Sequence, residues 1–135
     1  HPTVELRVCD VAGTVEEAVL IAALVRAVAA TAVAGRPAPV VSDLGLRTAL
    51  WRAARDGVEG AAVEPHTGRL VRAAERVRAL VDWVRPALRA SGDEDLVVDG
   101  VERLLADGGG AARQRRAFAR RGSLSDVVDL LVSQT

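Results

Sequence analysis

The segment from Thr14 to Ala34 constrains the fold of this chain more than any other. It opens on Thr14-Val15-Glu16-Glu17, a capping-box pattern with Glu17 at the third helical position. It closes at Gly35, with Pro37 and Pro39 beyond. The spacing predicts one long helix whose middle is apolar nearly all round, so it needs cover on several sides. Its longest apolar run, Ala18 to Val25, ends at Arg26 and is too short to cross a bilayer.

The cover for such a helix must come from small and branched aliphatic side chains. Hydrophobic residues make up 50% of the chain and aromatics only 2%, so Val, Leu and Ala have to build the core. Ala and Leu are strong helix formers. A length of 135 residues suits one domain or part of one. A charged fraction of 27% is ordinary for a globular chain and argues against disorder. All 18 residues counted as Lys or Arg are Arg, a bias of high-GC coding, so an individual Arg reads first as part of a solvated face. The formal net charge is zero, whereas nucleic-acid modules are usually basic. The single cysteine, Cys9, allows no internal disulfide and points to a reducing compartment. It is expected to be a small core hydrophobe. No signal peptide is visible, and the expected location is the cytoplasm. The chain starts His1-Pro2 and runs straight into a strand, which reads as a fragment, a processed product or a partial chain.

Residues Thr3 to Val8 alternate, with Val4, Leu6 and Val8 on one face and Thr3, Glu5 and Arg7 on the other, the pattern of a strand. Asp10 to Gly13 turns. Ser42 or Asp43 caps a second helix that runs through Trp51 to Asp56 and ends at Gly57. Short apolar stretches flank Pro65-His66-Thr67-Gly68 and predict a small β-hairpin. A third helix covers about Ala73 to Ala90, with Val77, Leu80, Val81, Val84 and Leu88 as its buried stripe. Pro86 is expected to kink it or end it early. Asp93 or Asp95 opens a fourth helix through Leu105, with Gly100 a weak point. After Gly108-Gly109-Gly110, an Arg-rich helix runs from Ala111 to Arg121. Ser123 caps a last helix whose buried stripe is Leu124, Val127, Val128, Leu131 and Val132. The fold class is α+β and mostly helical: one N-terminal strand, about five or six helices and a small hairpin.

Glu5 and Arg7 project together from the polar strand face. A carboxylate can hold Mg²⁺, which prefers oxygen ligands. A guanidinium can clamp a transferred phosphate in two-point geometry. Phosphoryl transfer uses this combination, but so does a plain ion pair on a wet sheet face. Arg52 and Arg55 share a helix face and could hold a carboxylate or phosphate; a surface helix with Trp51 buried is the bland alternative. The Gly108-Gly109-Gly110 turn entering a helix could cradle an anion, though it lacks the Lys and spacing of a P-loop, and a flexible break is the simpler reading. Arg113 to Arg121 carries no stacking aromatics beyond Phe118, a weak nucleic-acid signal. His66 lies in the hairpin turn and His1 at the terminus. No His, Cys and acidic spacing suggests zinc, and no nucleophilic triad can be built.

These residues carry a resemblance. Residues 3 to 11, Thr-Val-Glu-Leu-Arg-Val-Cys-Asp-Val, are similar to a motif of the bacterial glutamate–cysteine ligase type 2 family, the carboxylate-amine ligases. Later landmarks follow in family order. Trp51-Arg52-Ala53-Ala54-Arg55-Asp56-Gly57 resembles a Trp-Arg-Ala-Ala-Arg-aromatic-Gly motif, with Asp56 where an aromatic is usual. Glu64-Pro65-His66-Thr67-Gly68 resembles the family hairpin. Gly110-Ala111-Ala112-Arg113-Gln114-Arg115 and Arg121-Gly122-Ser123-Leu124 resemble its C-terminal signature.

The resemblance implies a glutamine-synthetase-like fold, an antiparallel sheet forming a funnel around metals and nucleotide. Residues 1–135 would then be the C-terminal portion of one such catalytic domain, with the upstream portion absent. It implies Glu5 as a Mg²⁺ ligand, Arg7 as a contact to the transferred γ-phosphate of ATP, and substrate or nucleotide roles for Arg52, Arg55, Arg113 and Gln114. The implied reaction phosphorylates the γ-carboxylate of glutamate with ATP, and an amine such as that of cysteine then displaces phosphate. A homo-oligomer, or association with the missing N-terminal portion, is expected, with neither nucleic acid nor membrane as partner. The chain alone is expected to be inactive. The rival reading is a non-catalytic helical interaction module derived from a ligase; a nucleic-acid binder using Arg113 to Arg121 ranks behind both.

Overall fold

The computed structural model describes residues 3–38, 40–64 and 66–134. Six helices and one hairpin follow in order: α1 (Val15–Val33), α2 (Asp43–Asp56), β1 (Ala61–Val63), β2 (Leu70–Arg72), α3 (Ala73–Ser91), α4 (Glu94–Asp107), α5 (Gly110–Arg121) and α6 (Leu124–Ser133). The architecture is the expected mostly helical α+β. His1, Pro2, Pro39, Pro65 and Thr135 lie outside the described residues.

The local signals act where the sequence puts them. The Thr14 hydroxyl accepts from the Glu17 amide at 3.2 Å. The return arm of the box reaches one residue further back, to the Gly13 amide at 2.8 Å rather than the Thr14 amide. Ser42 caps α2 by accepting from the Gly45 amide at 3.2 Å. The hairpin is antiparallel, with Ala62 opposite Val71. Inside its turn the Glu64 carboxylate accepts from the amides of His66 and Thr67 and from the Thr67 hydroxyl. The Thr67 hydroxyl is the chief cause of a lowered Glu64 pKa.

Helices α1, α3 and α4 build the core. Val84, Leu88, Val97 and Val101 are its fully buried large side chains, and Leu20, Ala23 and Ala27 close it from α1. Burying a Val or Leu contributes about 1.5–3 kcal/mol. Pro86 neither ends nor shortens α3, which continues to Ser91. Gly92 at φ +76° then reverses the chain, and the Asp93 amide donates back to the Leu88 carbonyl at 2.9 Å. Across the α3–α4 corner, Arg85 and Arg89 both reach Glu94, at 2.7 and 2.6 Å. Arg26 of α1 pairs with Asp93.

Several expectations about burial are corrected. Residues 3–12 carry no strand. Alternation marks an extended segment, but a strand needs a partner to supply its ladder bonds, and among the described residues none lies beside it. Cys9 is consequently exposed rather than in the core. Leu80 falls at the exposed edge of the α3 stripe. The α6 stripe is not buried: Leu124, Val128, Leu131 and Val132 are all exposed, and α6 has no fully buried residue. α1 is covered on one side only; Val15, Val19 and Val33 remain exposed. No helix among the described residues is long and apolar enough to cross a membrane.

Candidate functional site

The residues singled out by sequence fall into separate groups. Arg7 reaches Glu5 through Nε at 2.9 Å and through Nη2 at 2.5 Å, both on Oε1. The two side chains are 85% and 70% exposed, so they stand clear of the helical body. The predicted projection of both from one side is realised, without a sheet beneath it. Such an exposed pair contributes little to stability by itself.

Arg52 and Arg55 meet at Asp56. Asp56 Oδ2 lies 3.0 Å from Arg52 Nε and Oδ1 lies 3.3 Å from Arg55 Nε. The Arg52 Nε–H is buried but points at no acceptor, so the contact is one of charge rather than a directed hydrogen bond. Trp51 is 58% exposed, against the expected burial, and the Arg55 guanidinium lies 5.2 Å from its ring centre. Asp56 thus contacts both guanidinium groups that were expected to receive an anion, its single negative charge offsetting one of their two positive charges.

The glycine-rich turn does cradle an anion, and that anion is the chain's own. The Gly109 amide donates to Glu59 Oε1 at 2.6 Å. Gly108 has φ +78°, and a Cβ there would come within 3.0 Å of the same oxygen. Helix α5 therefore starts on an internal carboxylate, where its positive end favours one. The turn is a structural joint rather than a flexible break.

Arg113 is 15% exposed and lies between the first turn of α1 and the glycine turn before α5. Its Nη2 is 2.6 Å from Glu17 Oε1, and its Nη1 donates to the Gly108 carbonyl at 2.9 Å. Its Nε–H and Nη2–H have no well-directed acceptor. Gln114, one residue on, is exposed. Around Arg113 lies a cavity of about 210 Å³ lined by Glu16, Glu17, Leu20, Gly100, Arg103 and Asp107, among others. The Glu16 pKa is lowered, first by the residue's own amide, then by the Thr14 hydroxyl and, more weakly, by the Arg103 charge.

Sequence reasoning singled out Glu5, Arg7, Arg52, Arg55, Arg113 and Gln114 and passed over Glu59, Arg103 and Asp107. Arg103 and Asp107 are four residues apart on α4, a spacing that puts both on one face and could have drawn attention. Glu59 carried no signal, because its partner lies far along the chain. No hydrogen bond or ion pair among the described residues joins the Glu5–Arg7, Asp56 and Arg113 groups. Nor do those residues contain a group of three or more His, Cys, Asp or Glu able to hold a metal.

Comparison with known proteins decides the family. Residues 1–130 match the family described as Glutamate-cysteine ligase family 2 (GCS2). The chain belongs to glutamate–cysteine ligase family 2. A relative from Frankia alni, named as a glutamate–cysteine ligase 2-2, is 50% identical over all of this chain and 36% of its own length. One of the same name from a Mycobacterium species is 45% identical over 99% of the chain and 38% of its own length. A glutamate–cysteine ligase 2-1 from Saccharopolyspora erythraea is 43% identical over 99% of the chain and 36% of its own length. The chain therefore spans little more than a third of the length of these family members.

Proposed function

We propose that the chain supplies the C-terminal portion of a glutamine-synthetase-like catalytic domain. That domain would join glutamate, or a similar carboxylate, to an amine such as that of cysteine, at the expense of ATP. The observation that carries this reading is the family match over residues 1–130, taken with the free projection of Glu5 and Arg7. In the proposed reaction the γ-carboxylate attacks the γ-phosphorus of ATP, ADP leaves, and the amine then displaces phosphate to give an amide. Arg7 would hold the oxygens of the transferred phosphoryl group, where charge develops. Arg52, Arg55, Arg113 and Gln114 stay candidates for contacts to substrate or nucleotide, Arg52 and Arg55 only if Asp56 yields them.

Mg²⁺ is held by one or two carboxylates together with nucleotide phosphates, so the single exposed carboxylate of Glu5 fits as one of its ligands. When bound, the ion would neutralise phosphate charge. The cytoplasm, and assembly as a homo-oligomer or with the upstream portion of the domain, belong to the same proposal.

The test is ADP formation by a family-length protein containing this segment, given Mg²⁺-ATP, glutamate and cysteine. Turnover dependent on both amino acids supports the reading, and its absence overturns it. A second reading, a non-catalytic helical interaction module derived from a ligase, draws on the exposed apolar stripe of α6. It requires that the family-length protein bind no Mg²⁺-ATP.

A further inference from the structure

Helices α5 and α6 hang on the rest of the fold by few attachments. The apolar core cluster is built from α1, α3 and α4 and takes no residue from either. Among the described residues the pair buries two side chains, Ala112 and Ala117, both on α5. Ala117 lines a cleft with Leu130 and Ser133 of α6, so it faces its own hairpin. Each helix packs mainly on the other. The chain reverses between them at Gly122, with φ +68°, and Arg121 pairs with Asp126 across the corner. A unit that buries so little apolar surface against its neighbours can open well short of global unfolding.

Two carboxylates of the body hold this hairpin in place. Glu17 Oε1 lies 2.6 Å from Arg113 Nη2. Glu59 Oε1 accepts from the Gly109 amide at 2.6 Å, and its Oε2 lies 4.0 Å from Arg115 Nη2. Arg113 and Arg116 also donate to the Gly108 and Asp107 carbonyls, but those groups sit at the pivot itself. The seam between hairpin and body is not filled. The cleft of about 210 Å³ lies in it, with Glu16, Leu20 and Arg103 on one side and Arg113 and Gln134 on the other. The connection is Gly108-Gly109-Gly110, and three consecutive glycines let the backbone turn with little steric resistance.

We propose that α5 and α6 form a lid that swings as one unit about Gly108-Gly109-Gly110 and is latched shut by Glu17 and Glu59. Shut, it keeps Arg113 largely buried against Glu17. Open, it presents the Arg113 guanidinium and the α1 and α4 walls of the cleft to solvent. The lid does not depend on the ligase reading. Only the use of Arg113 as a contact to substrate or nucleotide does, and there the latch sets when that side chain is available.

Double electron–electron resonance on this chain reads the swing. Cys9 is exposed, so Cys9→Ser removes the native labelling site. Nitroxides then go on two pairs of exposed positions. Asp99→Cys with Ser125→Cys spans α4 to α6, and Ala111→Cys with Ser125→Cys lies within the hairpin. With the latch intact, the α4–α6 pair should give one dominant distance. Glu17→Gln combined with Glu59→Gln should raise the fraction at a second, longer distance by roughly tenfold or more, the effect of losing charged hydrogen bonds. The distance within the hairpin should stay the same. Molar salt screens the same two contacts, so the longer population should grow there with the latch residues unsubstituted, which keeps the test intact if the double variant misfolds. A longer α4–α6 population in either condition, with the hairpin distance kept, supports the lid. One unchanged α4–α6 distance in both conditions overturns it. So does a hairpin distance that changes along with the α4–α6 distance, because the helices would then melt rather than swing. ADP formation plays no part in these readouts, so the lid and the ligase reading fail separately.

Discussion

Arg113 Nη2 sits 2.6 Å from Glu17 Oε1, joining the first turn of α1 to α5. A Cβ on Gly13 would lie 3.1 Å from the same Arg113 nitrogen, so the turn before α1 is packed onto this pair as well. The partners are 15% and 20% exposed, enough to raise the cost of leaving one charge alone but not that of full burial. We expect Glu17→Ala and Arg113→Ala each to destabilise the chain by about 1–3 kcal/mol in urea titration. The double variant should cost clearly less than the sum, since the singles break the same contact. Strict additivity would show that the two side chains act independently.

The α5 joint predicts a different pattern. Glu59→Ala removes the acceptor of the Gly109 amide and the carboxylate at the helix start, and should cost about 1 kcal/mol. Gly108→Ala meets two obstacles, a left-handed backbone at φ +78° and the Glu59 oxygen 3.0 Å from the new Cβ. It should lower the melting temperature at least as much as Glu59→Ala. A Gly108→Ala variant as stable as wild type would mean that α5 starts elsewhere in solution.

These contrasts explain how much was legible beforehand. Thr14, Ser42, Gly57, Gly92 and Gly122 act within a few residues of themselves, so helix ends could be read from the sequence. Glu59 and Gly109 are 50 residues apart, and nothing local announces that they meet. Periodicity showed that Leu124, Val128 and Val132 form a stripe, but a stripe does not say what covers it, and here it is exposed. The alternation of residues 3–8 likewise marked an extended segment without supplying a neighbouring strand. Asp56 was legible as a departure from the family pattern, and its place four residues after Arg52 on one helix could have announced that pair, though the contact was not drawn from the sequence.

Acid should weaken this fold through its ion pairs. Hydrogen bonds from Arg89 and Arg85 lower the Glu94 pKa, those from Ser91 and Arg26 lower that of Asp93, and Arg78 and Arg121 lower those of Glu102 and Asp126. A depressed carboxylate pKa gives stability that is fully present above the unfolded value and is lost as pH falls through the folded one. The decline should therefore begin near the ordinary values of 4.5 for Glu and 3.8 for Asp and continue below them. Urea midpoints at pH 7 and pH 3 should show it. Added salt should shrink the difference, because the arginine of each pair is partly or largely exposed. A midpoint unchanged between those pH values would leave the ion pairs without a net role in stability.

Glu5 and Arg7 separate stability from activity. Both are largely exposed and contact each other rather than the core, so Glu5→Gln and Arg7→Ala should each leave the melting temperature of this chain within a degree or two. In a family-length protein the same substitutions should cut turnover strongly. Losing one charged group aimed at a developing charge commonly costs about a hundredfold or more. Arg7→Lys is the informative intermediate. It keeps the charge but loses the two-point geometry, so it should recover only part of the loss. If ADP formation runs at the wild-type rate in both Glu5→Gln and Arg7→Ala, the phosphoryl-transfer role of this pair is wrong. The contact between them would then be only an exposed ion pair.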